Sequence, residues 1–259
     1  MCTVILWHHL WPQTPLVVAA NRDEQLARRA EPPRWTGDVL APRDLQAGGT
    51  WMGVTRAGRF VGLTNRFLRG PPDTSRRSRG ELVTGALTET GSVETWLRSL
   101  DARAYNGFHL VCIDGDSGWL VIGDGAALTV RVLTPGVHVL TERSFDAGPT
   151  ARVPVLEAQA AAIAESPSPP TDDVLRQILA RHAEPSFDGT CVHWDAVGYG
   201  TRSSALIRRT AQGWDYRHAE GPPCQTPYSS YGDLTARPSD PTDAEPAPAR
   251  ETSRSRDGA

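Results

Sequence analysis

The sequence predicts an α+β fold in which two mainly antiparallel β-sheets pack together and carry helices on both outer faces. Three observations predict it. β-like runs come in adjacent, hairpin-like groups, two pairs of helical segments separate those groups, and the strict strand–helix alternation of a doubly wound sheet is missing. With 259 residues, 39% of them hydrophobic, and eight tryptophans, the chain can bury a sizeable core.

Residues 2–9 and 15–22 are the first two β-runs, joined by Leu10-Trp11-Pro12-Gln13-Thr14, a connection of hairpin length. Antiparallel pairing sets the start of the first run beside the end of the second. Cys2 is therefore expected near Arg22 and Asp23. Pro32-Pro33 marks a turn, and short strands follow at 38–43, 50–55 and 59–65, the last two linked through Arg56-Ala57-Gly58. Residues 80–88 and 92–100 read as helices, with Ser92 as N-cap of the second. Strands return at 107–113 and 119–122 around Asp114-Gly115-Asp116-Ser117-Gly118, and the runs 128–134 and 137–141 extend that meander. Residues 153–164 and 172–183 read as helices, Thr171 capping the second. Residues 201–210 and 214–218 form a closing hairpin around Ala211-Gln212-Gly213. From Ala236 onward nothing is apolar enough to pack, which predicts one domain over 1–235 and a disordered tail over 236–259.

Composition excludes several function classes. A net charge of −3 gives no bulk attraction for nucleic acid or a membrane surface. All 27 basic residues are arginine, which reads as coding bias. The four cysteines, at 2, 112, 191 and 224, are dispersed without CxxC spacing, against both a zinc ribbon and a disulfide framework. No signal-peptide pattern opens the chain, and no apolar run is long enough to span a bilayer. These features predict a soluble protein of a reducing, cytoplasmic compartment without stable membrane insertion.

Cys2 stands out because cysteine is small enough for cytoplasmic processing to remove the methionine before it. One residue then carries a thiol and an α-amine of pKa about 7.7–8.0, a serviceable base near neutral pH. A nucleophile activated by its own amine is an established route to covalent catalysis.

Several segments occur in one order: Cys2 after the initiator, Ala19-Ala20-Asn21-Arg22-Asp23-Glu24, Gly48-Gly49-Thr50-Trp51-Met52-Gly53, Leu63-Thr64-Asn65, Arg79-Gly80-Glu81-Leu82-Val83, Tyr105-Asn106-Gly107-Phe108, Leu133-Thr134-Pro135-Gly136 and Gly198-Tyr199-Gly200-Thr201-Arg202. Together, over residues 1 to about 218, they resemble the NRDE family, also called transport and Golgi organisation protein two. The resemblance implies a branch of the N-terminal nucleophile hydrolases, with a four-layer αββα sandwich and penicillin V acylases and bile salt hydrolases as mechanistic cousins. It implies Cys2 as nucleophile, Arg22 and Asp23 as the Arg and Asp after the second strand, Asn65 as an oxyanion donor, and Arg202 as the late Arg that steadies the site. Where the acylases place a second Asn this chain reads Leu140-Thr141-Glu142, so a substrate-facing Glu142 is acidic in place of an amide.

The implied reaction is hydrolysis of a non-peptide C–N bond in a small acylated molecule through a thioester on Cys2. Asp23 is cast as anchor for the α-ammonium, and Arg22 beside the sulfur is expected to lower the thiol pKa. No cofactor and no metal are expected. Cys191-Val192-His193-Trp194-Asp195 has ligand-type residues, yet no second cluster completes a site, and a packed strand is the expectation. His8-His9 face opposite ways on a strand, so at most one enters a pocket. Gly198-Tyr199-Gly200 precedes β-like residues and is no dinucleotide loop. The arginines at 66, 69, 76, 77 and 79 form a basic loop able to meet an anionic ligand, but read first as solvated and mobile. A second reading uses the same fold without chemistry, as a carrier whose cleft holds a hydrophobic ligand such as haem or lipid. The partner is a small amide or a hydrophobic molecule in either case.

Overall fold

The computed structural model describes residues 2–148 and 150–231; the segment read as a disordered tail lies outside the described residues. Strands β1 (Thr3–Trp11) and β2 (Thr14–Gln25) form the opening hairpin. Only Pro12 and Gln13 separate them, so the connection is shorter than the five residues expected. Nearly all of β1 and most of β2 are buried, because helices cover one face of their sheet and a second sheet covers the other. A strand wrapped on both faces has no polar alternation, which is why residues 3–7 read as a continuous apolar run.

The chain continues through β3 (Ala30–Thr36), β4 (Val39–Asp44), β5 (Met52–Thr55) and β6 (Phe60–Asn65) to the helices α1 (Gly80–Thr88) and α2 (Val93–Arg98). Next come β7 (Phe108–Asp114), β8 (Ser117–Gly123), β9 (Leu128–Val132), β10 (Gly136–Thr141), α3 (Arg152–Ala164) and α4 (Asp172–Leu179). Short β11 (His193–Trp194), long β12 (Tyr199–Thr210), β13 (Gly213–Ala219) and β14 (Ser229–Ser230) end the described chain. One sheet runs β10-β1-β2-β12-β13-β14, with β11 on β12; the other runs β3 to β9 in sequence order. Every strand pair is antiparallel.

Three apolar clusters define four layers. Val4, Leu6, Val18, Val54, Phe60, Val111 and Ile207 fill the space between the sheets. Leu82, Val83, Leu97, Leu110 and Val121 join α1 and α2 to the second sheet, while Ile5, Trp7, Leu156, Leu175 and Leu206 join α3 and α4 to the first. The order is therefore helix, sheet, sheet, helix, as expected. Indole N–H groups tie the layers: Trp7 donates to the Ala160 carbonyl at 2.9 Å, and Trp214 to the Thr55 carbonyl at 2.8 Å. A buried indole needs such a partner.

Local signals in the sequence translated well. Helix α1 has the expected bounds, and Ser92 and Thr171 accept the capping N–H groups of Thr95 and Val174. Three expectations fail. Pro32-Pro33 is not a turn but lies inside edge strand β3, at a register irregularity between Glu31 and Arg34; an edge bulge does not need the missing N–H groups. Strand β10 does not extend the meander from β9: it crosses to the other sheet and pairs with β1, Val4 opposite Leu140. Strand β9 is largely solvent-facing while β10 ends in buried Val139, Leu140 and Thr141, so the two belong to different layers. Helix α4 stops at Leu179, short of 183.

Across β7 and β8, Phe108 faces Gly123 in register, and a Cβ added at Gly123 meets the Phe108 ring at 2.3 Å. Overpacking a closed site of this kind costs about 1–3 kcal/mol. Gly123→Ala is expected to lower the denaturant midpoint accordingly, with an unchanged slope; an unaltered midpoint contradicts the close packing. Among the described residues no helix is long and apolar enough to cross a membrane.

Candidate active site

The opening hairpin brings the first candidate residues together. Register pairs Thr3 with Asn21, so Cys2 sits beside the outgoing end of β2. Its thiol points at the main-chain carbonyl of Asp23, 3.9 Å away. Burial pushes the Cys2 thiol pKa up, and the downward pull of Arg22 is too weak to reverse it. The expected low-pKa thiol is thus corrected. Arg22 spends its charge elsewhere: its Nη2 donates to Asp44 Oδ2 at 2.8 Å, and its guanidinium lies 4.3 Å over the Trp51 ring. Arg28 donates to the same Asp44 oxygen.

Asp23 is buried, 3% exposed, inside a polar network. Its Oδ1 accepts from the Thr201 hydroxyl at 2.7 Å, and its carbonyl from the Tyr199 hydroxyl at 3.0 Å. Arg152 Nη1 lies 3.8 Å from Oδ2. Burial pushes the Asp23 carboxyl up to about 6, against the opposing pull of Arg152 and the Thr201 hydroxyl. Glu142 completes the group: its Oε2 is 2.5 Å from Arg152 Nη2. One cation is thus wedged between two carboxylates. Glu142 lines a cavity, with its charge paired to Arg152.

Arg152 was missed in the sequence, although a signal exists. It is 1% exposed and shares the buried face of α3 with Val153, Leu156 and Ala160. A cation in the first turn of a helix, on its apolar face, opposes the helix dipole and requires nearby carboxylates. Reading the helix from 153 left that residue in a loop.

Asn65 ends β6 and lines two adjoining cavities. One, of about 380 Å3, is lined by Cys2, Arg22, Glu24 and Asp44 among others; the second, of about 390 Å3, includes Glu142 and Phe67. Both also share Pro72, Asp73, Arg76, Arg79 and Asn106, which makes them one cleft with Asn65 at its waist. Arg202 is not in the lining of that cleft. Pairing of β2 with β12 shifts between Thr201 and Ser203, so Arg202 is the extra residue of a bulge. It lines a separate small cavity with Arg22, Trp51 and His218.

The arginine cluster also differs from its reading as a solvated loop. All five line the cleft, and Arg66, Arg76 and Arg79 are held by main-chain carbonyls of Phe145, Tyr105 and Gly107. Three of the five are thus fixed in place, Arg69 and Arg77 stay exposed, and Asp73, Asp124 and Glu142 share the lining. His8 is buried in the core and pushed down to about 4 by burial, aided by neighbouring His9; neither lines the cleft. Gly198 takes a left-handed turn into strand β12, as its sequence context implied. Away from the cleft, ligand atoms of His182, Cys191, His193 and Cys224 lie within 4.8 Å of one another. The Cys191–Asp195 stretch thus gains the partners that no sequence neighbour supplies.

Comparison with known proteins shows which family the chain resembles. The sequence model of the family described as Transport and Golgi organisation 2 matches residues 1–220. A human Transport and Golgi organization protein 2 homolog is 28% identical over 232 residues, covering 76% of this chain and 83% of its own. The bovine homolog is 29% identical over 237 residues with the same shares, and a mouse homolog 33% identical over 138 residues, 49% of this chain and 50% of its own. Among solved structures, a variant of conjugated bile acid hydrolase from Clostridium perfringens superimposes with a TM-score of 0.49 at 10% identity, over 89% of this chain and 97% of that one.

Proposed function

The chain belongs to the Transport and Golgi organisation 2 family, and from that premise we propose that it is an N-terminal-cysteine amidohydrolase. Its substrate is a small acylated amine, and the bond cleaved is a non-peptide C–N bond. The observation that carries this reading is the Cys2 thiol at a cleft wall beside buried Asp23, with Asn65 at the cleft's waist. Burial keeps the resting thiol protonated, so the nucleophile must be made during attack by a base on the spot.

Removal of Met1 supplies that base. The α-amine of Cys2 takes the thiol proton as sulfur adds to the amide carbon. Asn65 Nδ2 donates to the resulting oxyanion, an interaction worth about 2.7–4 kcal/mol in a preorganised site. Collapse breaks the C–N bond, the α-ammonium returns its proton to the leaving amine, and a thioester remains. Water, deprotonated by the same amine, frees the acid and restores the thiol. Asp23 holds the α-ammonium, and Arg152 keeps Asp23 ionised near neutral pH.

The raised Cys2 thiol is also what a carrier of a hydrophobic ligand tolerates, since a carrier needs no nucleophile. Intact-mass spectrometry separates the two readings. Protein beginning at Cys2, treated with an activated acyl ester, is expected to gain one acyl group on Cys2. Cys2→Ala and a form that retains Met1 gain none. Processed protein that never acylates, yet binds a hydrophobic ligand with equal affinity in the wild type and Cys2→Ala, is a carrier.

A further inference from the structure

Four side chains of metal-binding type converge outside the cleft, from three stretches of chain. His182 follows α4, Cys191 and His193 flank Val192 at the entry to β11, and Cys224 lies in the turn after β13. Cys191 Sγ is 3.5 Å from Cys224 Sγ and 3.4 Å from His193 Nε2, and that nitrogen is 3.3 Å from Cys224 Sγ. His182 closes the group, its ring 5.1 Å from that of His193 at a steep angle. We propose that His182, Cys191, His193 and Cys224 form a structural zinc site.

Cys191, His193 and Cys224 already have the spacing of one face of a coordination tetrahedron, and His182 stands within 4.8 Å as the fourth ligand. Zn–S bonds of about 2.3 Å and Zn–N bonds of about 2.0–2.1 Å give ligand-to-ligand edges of roughly 3.3–3.8 Å. Three edges already have that length. A disulfide needs sulfurs about 2.05 Å apart, and both cysteines are free thiols. Two thiolates and two imidazoles select a borderline-soft cation over magnesium or calcium, and four protein ligands leave no open position for chemistry. The site is therefore a clip, closing a loop of roughly 40 residues between His182 and Cys224.

The clip has something to hold. Asn21 Nδ2 donates to the Thr190 carbonyl, and the Val192 N–H donates to Thr201 Oγ1, which in turn donates to Asp23. The stretch that carries two of the ligands is thus one relay from the buried carboxylate of Asp23. This inference stands whether or not Cys2 is a nucleophile.

Metal analysis and cobalt substitution of the full-length protein test it. Protein purified without added metal is expected to contain about one zinc per chain. Cobalt added to chelator-treated protein gives the intense visible bands of tetrahedral coordination and a thiolate-to-metal charge-transfer band. Cys224→Ser weakens the charge-transfer band. His182→Ala, at an exposed position that leaves packing intact, lowers zinc affinity at least about tenfold. His182→Cys retains zinc, because three cysteines and one histidine make an equally good site. Three results overturn the proposal: no zinc with octahedral cobalt spectra, a charge-transfer band unaltered in Cys224→Ser, or a Cys191–Cys224 disulfide in protein kept reduced.

Discussion

Replacing Arg152 with alanine is expected to destabilise the protein by about 3–5 kcal/mol, because it strips the shared cation from buried Asp23 and half-buried Glu142. At this chain length roughly 2–4 °C of melting temperature follows each kcal/mol, so the midpoint falls by roughly 6–20 °C. Arg152 is 1% exposed, 2.5 Å from Glu142 and 3.8 Å from Asp23. Lost packing of the long side chain adds to the loss. The electrostatic part is isolated by a second variant. Arg152→Met with Glu142→Gln removes one charge of each sign and preserves volume, and it recovers much of the loss, since well-packed neutral groups often match a buried ion pair. Thermal melts of the single and double variants decide the matter. If the single variant melts within a degree or two of the parent, Arg152 is not the keystone of this group.

The second large effect is a pH dependence carried by Asp23. Burial raises its folded pKa to about 6 from an ordinary 3.8. Between those values the native state binds a proton that the unfolded chain has released, so stability is lost as pH rises through the window. A shift of about two units corresponds to about 3 kcal/mol, fully present as a cost above pH 6 and absent below pH 4. Asp23→Asn cannot ionise and escapes that cost. Its stability relative to the wild type is therefore expected to improve by up to about 3 kcal/mol between pH 4 and pH 7. Urea melts of both proteins across that range provide the difference directly. A constant gap between the two curves means that Asp23 titrates normally. Loss of acylation in Asp23→Asn despite the improved relative stability separates its role at the amine from its role in the fold.

What the sequence revealed was set by distance along the chain. The bounds of α1 and the caps Ser92 and Thr171 depend on residues three or four apart, and they read correctly. The juxtaposition of Cys2 and Asp23 needed only one short hairpin. By contrast, β10 finds β1 more than a hundred residues away, a pairing that periodicity does not encode. Arg202 matched a motif, but one extra residue in β12 turns it from the cleft, and a bulge leaves no reliable mark in composition. Arg152, His182 and Cys224 have meaning only through partners brought near by the tertiary fold. The residue types were visible all along; their company was not.

The position of β1 inside its sheet has a consequence for how the protein is made. Its two sheet neighbours are unequal in timing. β2 leaves the ribosome at once, whereas β10 begins at Gly136 and β12, the other neighbour of β2, at Tyr199. At about 5–20 residues per second, roughly ten seconds or more separate the first hairpin from the last of these partners. Throughout that interval the nascent hairpin has two unpaired edges and two uncovered apolar faces. Strand pairing is thus ordered by the direction of synthesis, and a circular permutant that opens at the Pro12-Gln13 turn would forfeit that order.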